Sequence, residues 1–183
     1  MKKLLLKISM IAALAVSGLS NTNAQVYEQG KGQLNVGLGI GSTLTATGFN
    51  TTIPPIGVSY EYGFHENISG GAYLGYSGAD YEFAGYKWTY SYIIVGARGS
   101  WHFDFLDSDK LDPYAGLLLG YNIASVSVEK PAGATYTPPV ATAGGVVIGG
   151  HLGMRYHFNE KLGAFAELGY GIAFLQLGVT AKF

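Results

Sequence analysis

The sequence predicts an all-β fold, an eight-stranded antiparallel transmembrane up-and-down β-barrel, and three observations predict it. From Gly32 onward, apolar residues recur at every second position, the period of a strand. They do so in eight segments, each about ten residues long, the length a tilted strand needs to cross a bilayer. Every charged residue inside these segments lies on the face that carries the glycines, and none lies on the aliphatic face.

Composition agrees. Of 183 residues, 28 are Gly and 14 are Tyr, while 13% are charged, against roughly 25% in an ordinary soluble domain. Mean hydropathy is +0.20, yet beyond the N-terminus no apolar run reaches the roughly 18 residues of a helical span. The apolar residues must therefore find lipid or a core through strands. The length suits one domain. The absence of Cys excludes disulfides, thiolate metal sites and a cysteine nucleophile. A formal net charge of -1 leaves no broad electrostatic case for nucleic-acid binding.

Residues 1–24 read as a signal peptide. Lys2, Lys3 and Lys7 give a positive start, residues 8–19 are apolar, and a small polar exit ends at Ala24. Thr22 and Ala24 occupy the small-residue positions of a signal peptidase site, which places cleavage between Ala24 and Gln25. The barrel domain is then 25–183. Removing the leader leaves 8 of the 11 basic residues against the 12 acidic ones, a charge near -4.

The first segment is Leu34, Val36, Leu38, Ile40, and the second Ile56, Val58, Tyr60, Tyr62, Phe64. Ile68, Ala72, Leu74, Tyr76 follow, then Ile93, Val95, Ala97, Trp101, Phe103. The fifth, Ala115, Leu117, Leu119, Tyr121, Ile123, is less clean because Leu118 falls on the other face. Val146, Ile148, Leu152, Met154, Tyr156, Phe158 form the sixth; Leu162, Ala164, Ala166, Leu168, Tyr170 the seventh; Leu175, Leu177, Val179, Ala181, Phe183 the last. An even strand number closes a barrel with both chain ends on one side.

The faces decide the solvent. Glu61, Arg98, Arg155, Glu167 and Lys182 share a face with the glycines, and small residues belong in an interior only just wide enough for side chains. The aliphatic face then looks outward, where water is intolerable and lipid is suitable. On the periplasmic side, 65–67 and 159–161 read as tight turns and 104–112 as a longer acidic link. On the outer side, 42–53, 79–86 and 125–142 read as longer loops, with a very short link near Gly171. Val126 and Val128 suggest that strand five runs past the bilayer, with a bulge where the phase changes. Tyr62, Phe64, Trp101, Phe103, Tyr156, Phe158 and Phe183 are assigned to a periplasmic aromatic belt, and Tyr76, Tyr90, Tyr121 and Tyr170 to an outer one.

With these features in place, the chain resembles the small outer-membrane β-barrel family of Gram-negative bacteria, the OmpA-like transmembrane domain and its relatives. The resemblance rests on the leader, the eight segments, Leu111-Asp112-Pro113-Tyr114-Ala115-Gly116, Glu167-Leu168-Gly169-Tyr170-Gly171, and a final strand ending in Phe183. It implies that the aromatic C-terminus is the signal read by the barrel-insertion machinery, and that outer-membrane lipid surrounds the protein. No segment remains after strand eight for a peptidoglycan-binding domain, so that role is not implied.

Counted from the periplasmic turns, Glu61, Arg98, Arg155 and Glu167 fall in one layer of the lumen. Two carboxylates and two guanidiniums in a narrow interior should pair, since unpaired buried charge is costly. The expectation is an ion-pair network that plugs the barrel; a gate or proton path through the same residues is the alternative. His102, His151 and His157 point inward as polar lumen residues, and His65 sits in a turn. None has a Ser and an acid in an outward constellation near the outer rim, as a lipid-modifying enzyme would need. A metal site from His102 and His157 is disfavoured because strand five lies between their strands. The Gly-X-Gly runs precede no helix and cradle no phosphate. No cofactor is expected. The sequence thus points to a non-enzymatic barrel with a structural or partner-binding role, with an envelope protein as one candidate partner. A narrow channel for small solutes is the alternative, and a lipid-modifying enzyme a distant third. The outer loop from Glu129 to Pro139 is the longest candidate contact surface.

Overall fold

A computed structural model describes residues 27–104, 106, 108–140 and 143–183. The expected leader and its expected cleavage between Ala24 and Gln25 lie outside the described residues. Period-two patterning becomes eight strands: β1 (Gly32–Ser42), β2 (Asn50–His65), β3 (Ile68–Phe83), β4 (Tyr86–His102), β5 (Leu111–Glu129), β6 (Ala143–His157), β7 (Leu162–Gly169) and β8 (Ala173–Lys182). Each pairs antiparallel with its sequence neighbours, and β8 returns to β1, so the sheet is a closed barrel. The seam extends to the last residue: Gly32 N–H donates to Phe183 O and Phe183 N–H to Gly32 O, at 3.2 and 2.9 Å. Closure matters in lipid, which cannot satisfy an open sheet edge.

The alternation sorts side chains between two environments. Leu117 and Ile148 stand outward at 69% and 72% exposure, values that make sense only against acyl chains. Tyr60, Tyr62, Phe64, Trp101, Tyr156 and Phe183 ring the end where β1 begins and β8 finishes, the terminal end, while Tyr121, Tyr170 and Phe174 mark the opposite, loop end. Tyr90 does not join them. It shares the inward phase of buried Tyr92, stacks on that ring, and packs against the interior cluster.

Strand lengths depart from expectation on one side of the barrel. β2 to β5 span 16, 16, 17 and 19 residues, against 11, 8 and 10 in β1, β7 and β8. The segment expected as a loop over 79–86 is a tight hairpin, with only Ala84 and Gly85 between strands, both at positive φ. Positive φ at both central residues matches the strand twist in a two-residue turn. β5 continues through Val126 and Val128 in unbroken register with β4, from His102↔Tyr114 to Lys87↔Glu129. No bulge interrupts β5 there. The phase is constant, and what changes is the surroundings: beyond the bilayer the outward face becomes polar and the inward face apolar. Irregularity falls instead between Thr51 and Ile56 of β2, around Pro54 and Pro55, which offer no N–H to the ladder. At the terminal end, β5 begins at Leu111, so Asp112 belongs to a strand and points inward rather than to a link.

The interior is also not small throughout. Tyr73, Tyr92, Ile94, Leu118, Val147, Ile172 and Ala173 fill its loop-end half as a buried apolar cluster, with Leu44 of the β1–β2 connection packed on it. Thr43 Oγ1 donates to Gly171 O and ties that connection to the β7–β8 turn.

Candidate functional site

The terminal half of the lumen holds the charges. Glu61 comes from β2, Arg98 from β4, Asp112 from β5, Arg155 from β6 and Glu167 from β7. Register explains their meeting. Asp112 and Arg155 are direct cross-strand partners, and Gly71 alone separates Glu61 from Arg98 along a rung. Gly153 lies between Tyr114 and Glu167 on another rung. A Cβ at Gly153 would collide with the Tyr114 ring, so the missing side chain lets that ring lie across the lumen.

Arg98 makes a two-pronged contact with Glu167, Nη1 to Oε1 at 3.3 Å and Nη2 to Oε2 at 2.8 Å, the planar geometry that suits a guanidinium and a carboxylate. Its Nε lies 3.1 Å from Glu61 Oε1. Arg155 donates from Nη2 to the same Glu61 oxygen at 3.2 Å, from Nη1 to Asp112 Oδ2 at 2.8 Å and from Nε to Asn35 Oδ1 at 3.3 Å. Arg155 Cζ lies 4.0 Å from the centre of the Tyr114 ring, and the Tyr114 hydroxyl donates to Glu167 Oε2 at 2.9 Å. All of these side chains are buried. The structure therefore brings Glu61, Arg98, Arg155 and Glu167 together and adds Asp112, which the sequence reading left in a link. Its inward parity with Tyr114, Gly116 and Leu118 is the signal that could have found it.

Two of the three lumen histidines join this layer. His102 Nδ1 lies 2.7 Å from Asp112 Oδ1, and its Nε2 lies 2.9 Å from Ser69 Oγ. His151 Nε2 lies 2.9 Å from Ser100 Oγ. His157 stands apart, with Nε2 3.0 Å from Gln33 Nε2. Ser69, His102 and Asp112 follow the order of a nucleophile, base and orienting acid, but the chemistry does not follow. A hydroxyl has one hydrogen, and Ser69 donates its own to Glu61 Oε2 at 2.9 Å, as Ser100 does at 2.6 Å. With its proton committed to a carboxylate and its side chain buried, Ser69 is not an activated nucleophile. Among the described residues no group of three or more His, Asp or Glu is placed to hold a metal ion.

Structure bounds the charged layer on both sides. Toward the loop end lies the apolar cluster, with a cavity of about 20 Å³ between them bordered by Tyr73, Arg98, His151, Glu167 and Gln176; this is room for roughly one water molecule. Toward the terminal end, Tyr27 stacks on His102 with ring centroids 3.7 Å apart and planes 12° apart. The Tyr27 hydroxyl reaches His65 O at 2.9 Å and Ile68 O at 2.6 Å. Burial, then the charges of Asp112 and Glu61, push its pKa up to about 12. Gln29 Nε2 donates to Phe64 O and Gly30 N–H to Gly63 O, so residues 27–31 form a strap under the layer. The remaining predicted residue, Phe183, sits exposed at the seam.

The model of the family described as the outer membrane protein beta-barrel domain matches residues 11–182. No curated protein matches the chain. Among solved structures, the outer membrane protein OprG from Pseudomonas aeruginosa superposes with a TM-score of 0.57 at 14% identity, over 87% of this chain and 99% of that one. Ail, the attachment invasion locus protein of Yersinia pestis, in complex with the heparin analogue sucrose octasulfate, superposes with a TM-score of 0.55 at 12% identity, over 85% of this chain and 100% of that one. At these identities the likeness is one of fold.

Proposed function

This chain belongs to the outer membrane protein beta-barrel domain family, and from that premise we propose that it is a sealed outer-membrane barrel with a structural or partner-binding role. The observation that carries the reading is the buried charge network. Two guanidiniums, three carboxylates and His102 satisfy one another across the lumen, with apolar side chains packed above them. Moving an ion or solute through requires separating charges that are buried from solvent, which costs several kcal/mol per ion. Planar-bilayer recordings test this: the refolded protein should hold the baseline, and steady large conductance would end the reading. The runner-up, a narrow channel for small solutes, draws on the water-sized cavity beneath the apolar cluster and requires that conductance.

The role is non-enzymatic, which the commitment of the Ser69 proton supports. Delivery includes export with a leader over 1–24 removed before Gln25, and N-terminal sequencing of the membrane-inserted protein tests this. Phe183, at the seam, serves insertion. Carrying over a sulfated ligand such as the one bound to Ail finds little support. The loop end bears Asp80, Glu82 and Glu129 against Lys87 and Lys130, and Lys87 is already held by Asp80 at 2.8 Å.

A further inference from the structure

β3, β4 and β5 rise above the rung of Tyr76, Ile93 and Ile123, where the outer aromatic ring marks the edge of the bilayer. β3 runs seven residues past Tyr76, on the order of 20 Å before tilt is counted. The sheet has two unlike faces. Asp80, Glu82, Lys87 and Glu129 take one phase of the alternation, together with Thr89, Ser125 and Ser127. The opposite phase, continuous with the barrel interior, carries Tyr81, Tyr86, Trp88 and Tyr90 with Val126 and Val128, and no charge.

Phe49 of the β1–β2 connection completes an unbroken series of rings. Centroids are 5.8 Å apart from Tyr86 to Trp88, 6.0 Å from Trp88 to Tyr81, 5.3 Å from Tyr81 to Phe49 and 5.1 Å from Phe49 to Tyr90. Tyr81, Tyr86, Trp88 and Tyr90 remain only half-buried. Tyr86 donates its hydroxyl to Tyr136 O of the β5–β6 connection at 3.1 Å, while the hydroxyls of Tyr81 and Tyr90 and the Trp88 indole N–H edge the flat apolar area with hydrogen-bonding groups.

We propose that this ring series is a binding surface for uncharged oligosaccharide. Sugars present a C–H face that stacks on aromatic rings and a rim of hydroxyls that pairs with phenol and indole donors. Charge complementarity selects among glycans: the face is neutral and the ionised groups project from the other side, so a sulfated or phosphorylated chain gains no counter-charge. The surface also stands in the zone beyond the bilayer, where an apolar ligand would not be held in solution. The inference names the partner class within the partner-binding reading, and its failure leaves the sealed lumen untouched, because the two are measured separately.

The test uses the full mature chain in nanodiscs against an array of neutral and sulfated oligosaccharides. Titration follows by tryptophan emission in a Trp101→Phe background, which leaves Trp88 as the sole tryptophan. Neutral oligosaccharides should bind saturably and shift the Trp88 signal. Tyr81→Ala and Tyr86→Ser should each weaken binding roughly tenfold or more while the barrel keeps its folded gel mobility; the tip residue Tyr86 serves as the readout should Tyr81→Ala not fold. Binding confined to sulfated chains, no binding to any neutral chain, or unchanged affinity in Tyr86→Ser would overturn the proposal.

Discussion

Arg155 and Asp112 face each other across β5 and β6 at 2.8 Å, one at 1% and the other at 0% exposure. Neither group has water as a fallback. Arg155→Met leaves Asp112 with His102 alone and removes one partner of Glu61 while keeping most of the volume. Breaking one side of such a pair costs about 3–5 kcal/mol, whereas replacing both sides with apolar groups can be neutral. Urea unfolding in detergent should therefore show a large loss for Arg155→Met and partial recovery in Arg155→Met/Asp112→Leu. Equal losses in single and double variants would remove the pair as the cause.

Tyr114 and Gly153 make a second, steric pair. A Cβ at 153 collides with the ring, so Gly153→Ala should destabilise by about 1–3 kcal/mol, the usual cost of overpacking. Adding Tyr114→Leu should make the second change less costly, giving a coupling energy on the order of 0.5–3 kcal/mol in a double-mutant cycle. Strict additivity would show that the ring moves aside freely.

The charged layer and the apolar cluster close the lumen in series. Arg98→Ala alone and Ile172→Gly alone should each leave planar-bilayer current at background, and the double variant should show stepwise openings. Current through Arg98→Ala by itself would mean that the apolar cluster does not seal.

The strap supplies a pH dependence. The Tyr27 pKa is raised in the folded state, so the phenol's contribution is fully present below its ordinary value of 10.0 and is lost as pH climbs toward about 12. A phenolate would face the carbonyls of His65 and Ile68 and should release. The chain has no Cys, so a Lys31→Cys variant takes one fluorophore at the end of the strap itself. Its signal should be flat to pH 10 and change above it, and Tyr27→Phe should abolish that transition. A transition that persists in Tyr27→Phe would place its origin elsewhere.

The barrel was legible in the sequence because lipid imposes one rule on every outward position, and Leu117, Ile148 and Leu177 obey it. The inner face follows no single rule. Glu61, Arg98, Arg155 and Glu167 were readable as inward charges by parity, but Asp112 was hidden by a strand start placed at Ala115. Tyr73, Ile94 and Val147 point inward too, since one half of the interior is filled by apolar packing rather than by paired charge. Tyr90 and Val126 misled for a related reason: beyond the bilayer the inward face is the drier one, so an unbroken alternation reads as a change of phase.

The hydrogen bonds between Gly32 and Phe183 have a bearing on how the molecule assembles. They join the two strands most distant along the chain, so the final closure is the pairing with the greatest contact order and the largest loop-entropy cost. Hairpins such as β3–β4 can form locally and early, while the cylinder stays an open ribbon with two adhesive edges until this junction forms. The vulnerable interval in biogenesis is therefore the one just before that junction zips, when the first and last strands are both complete and still unpaired.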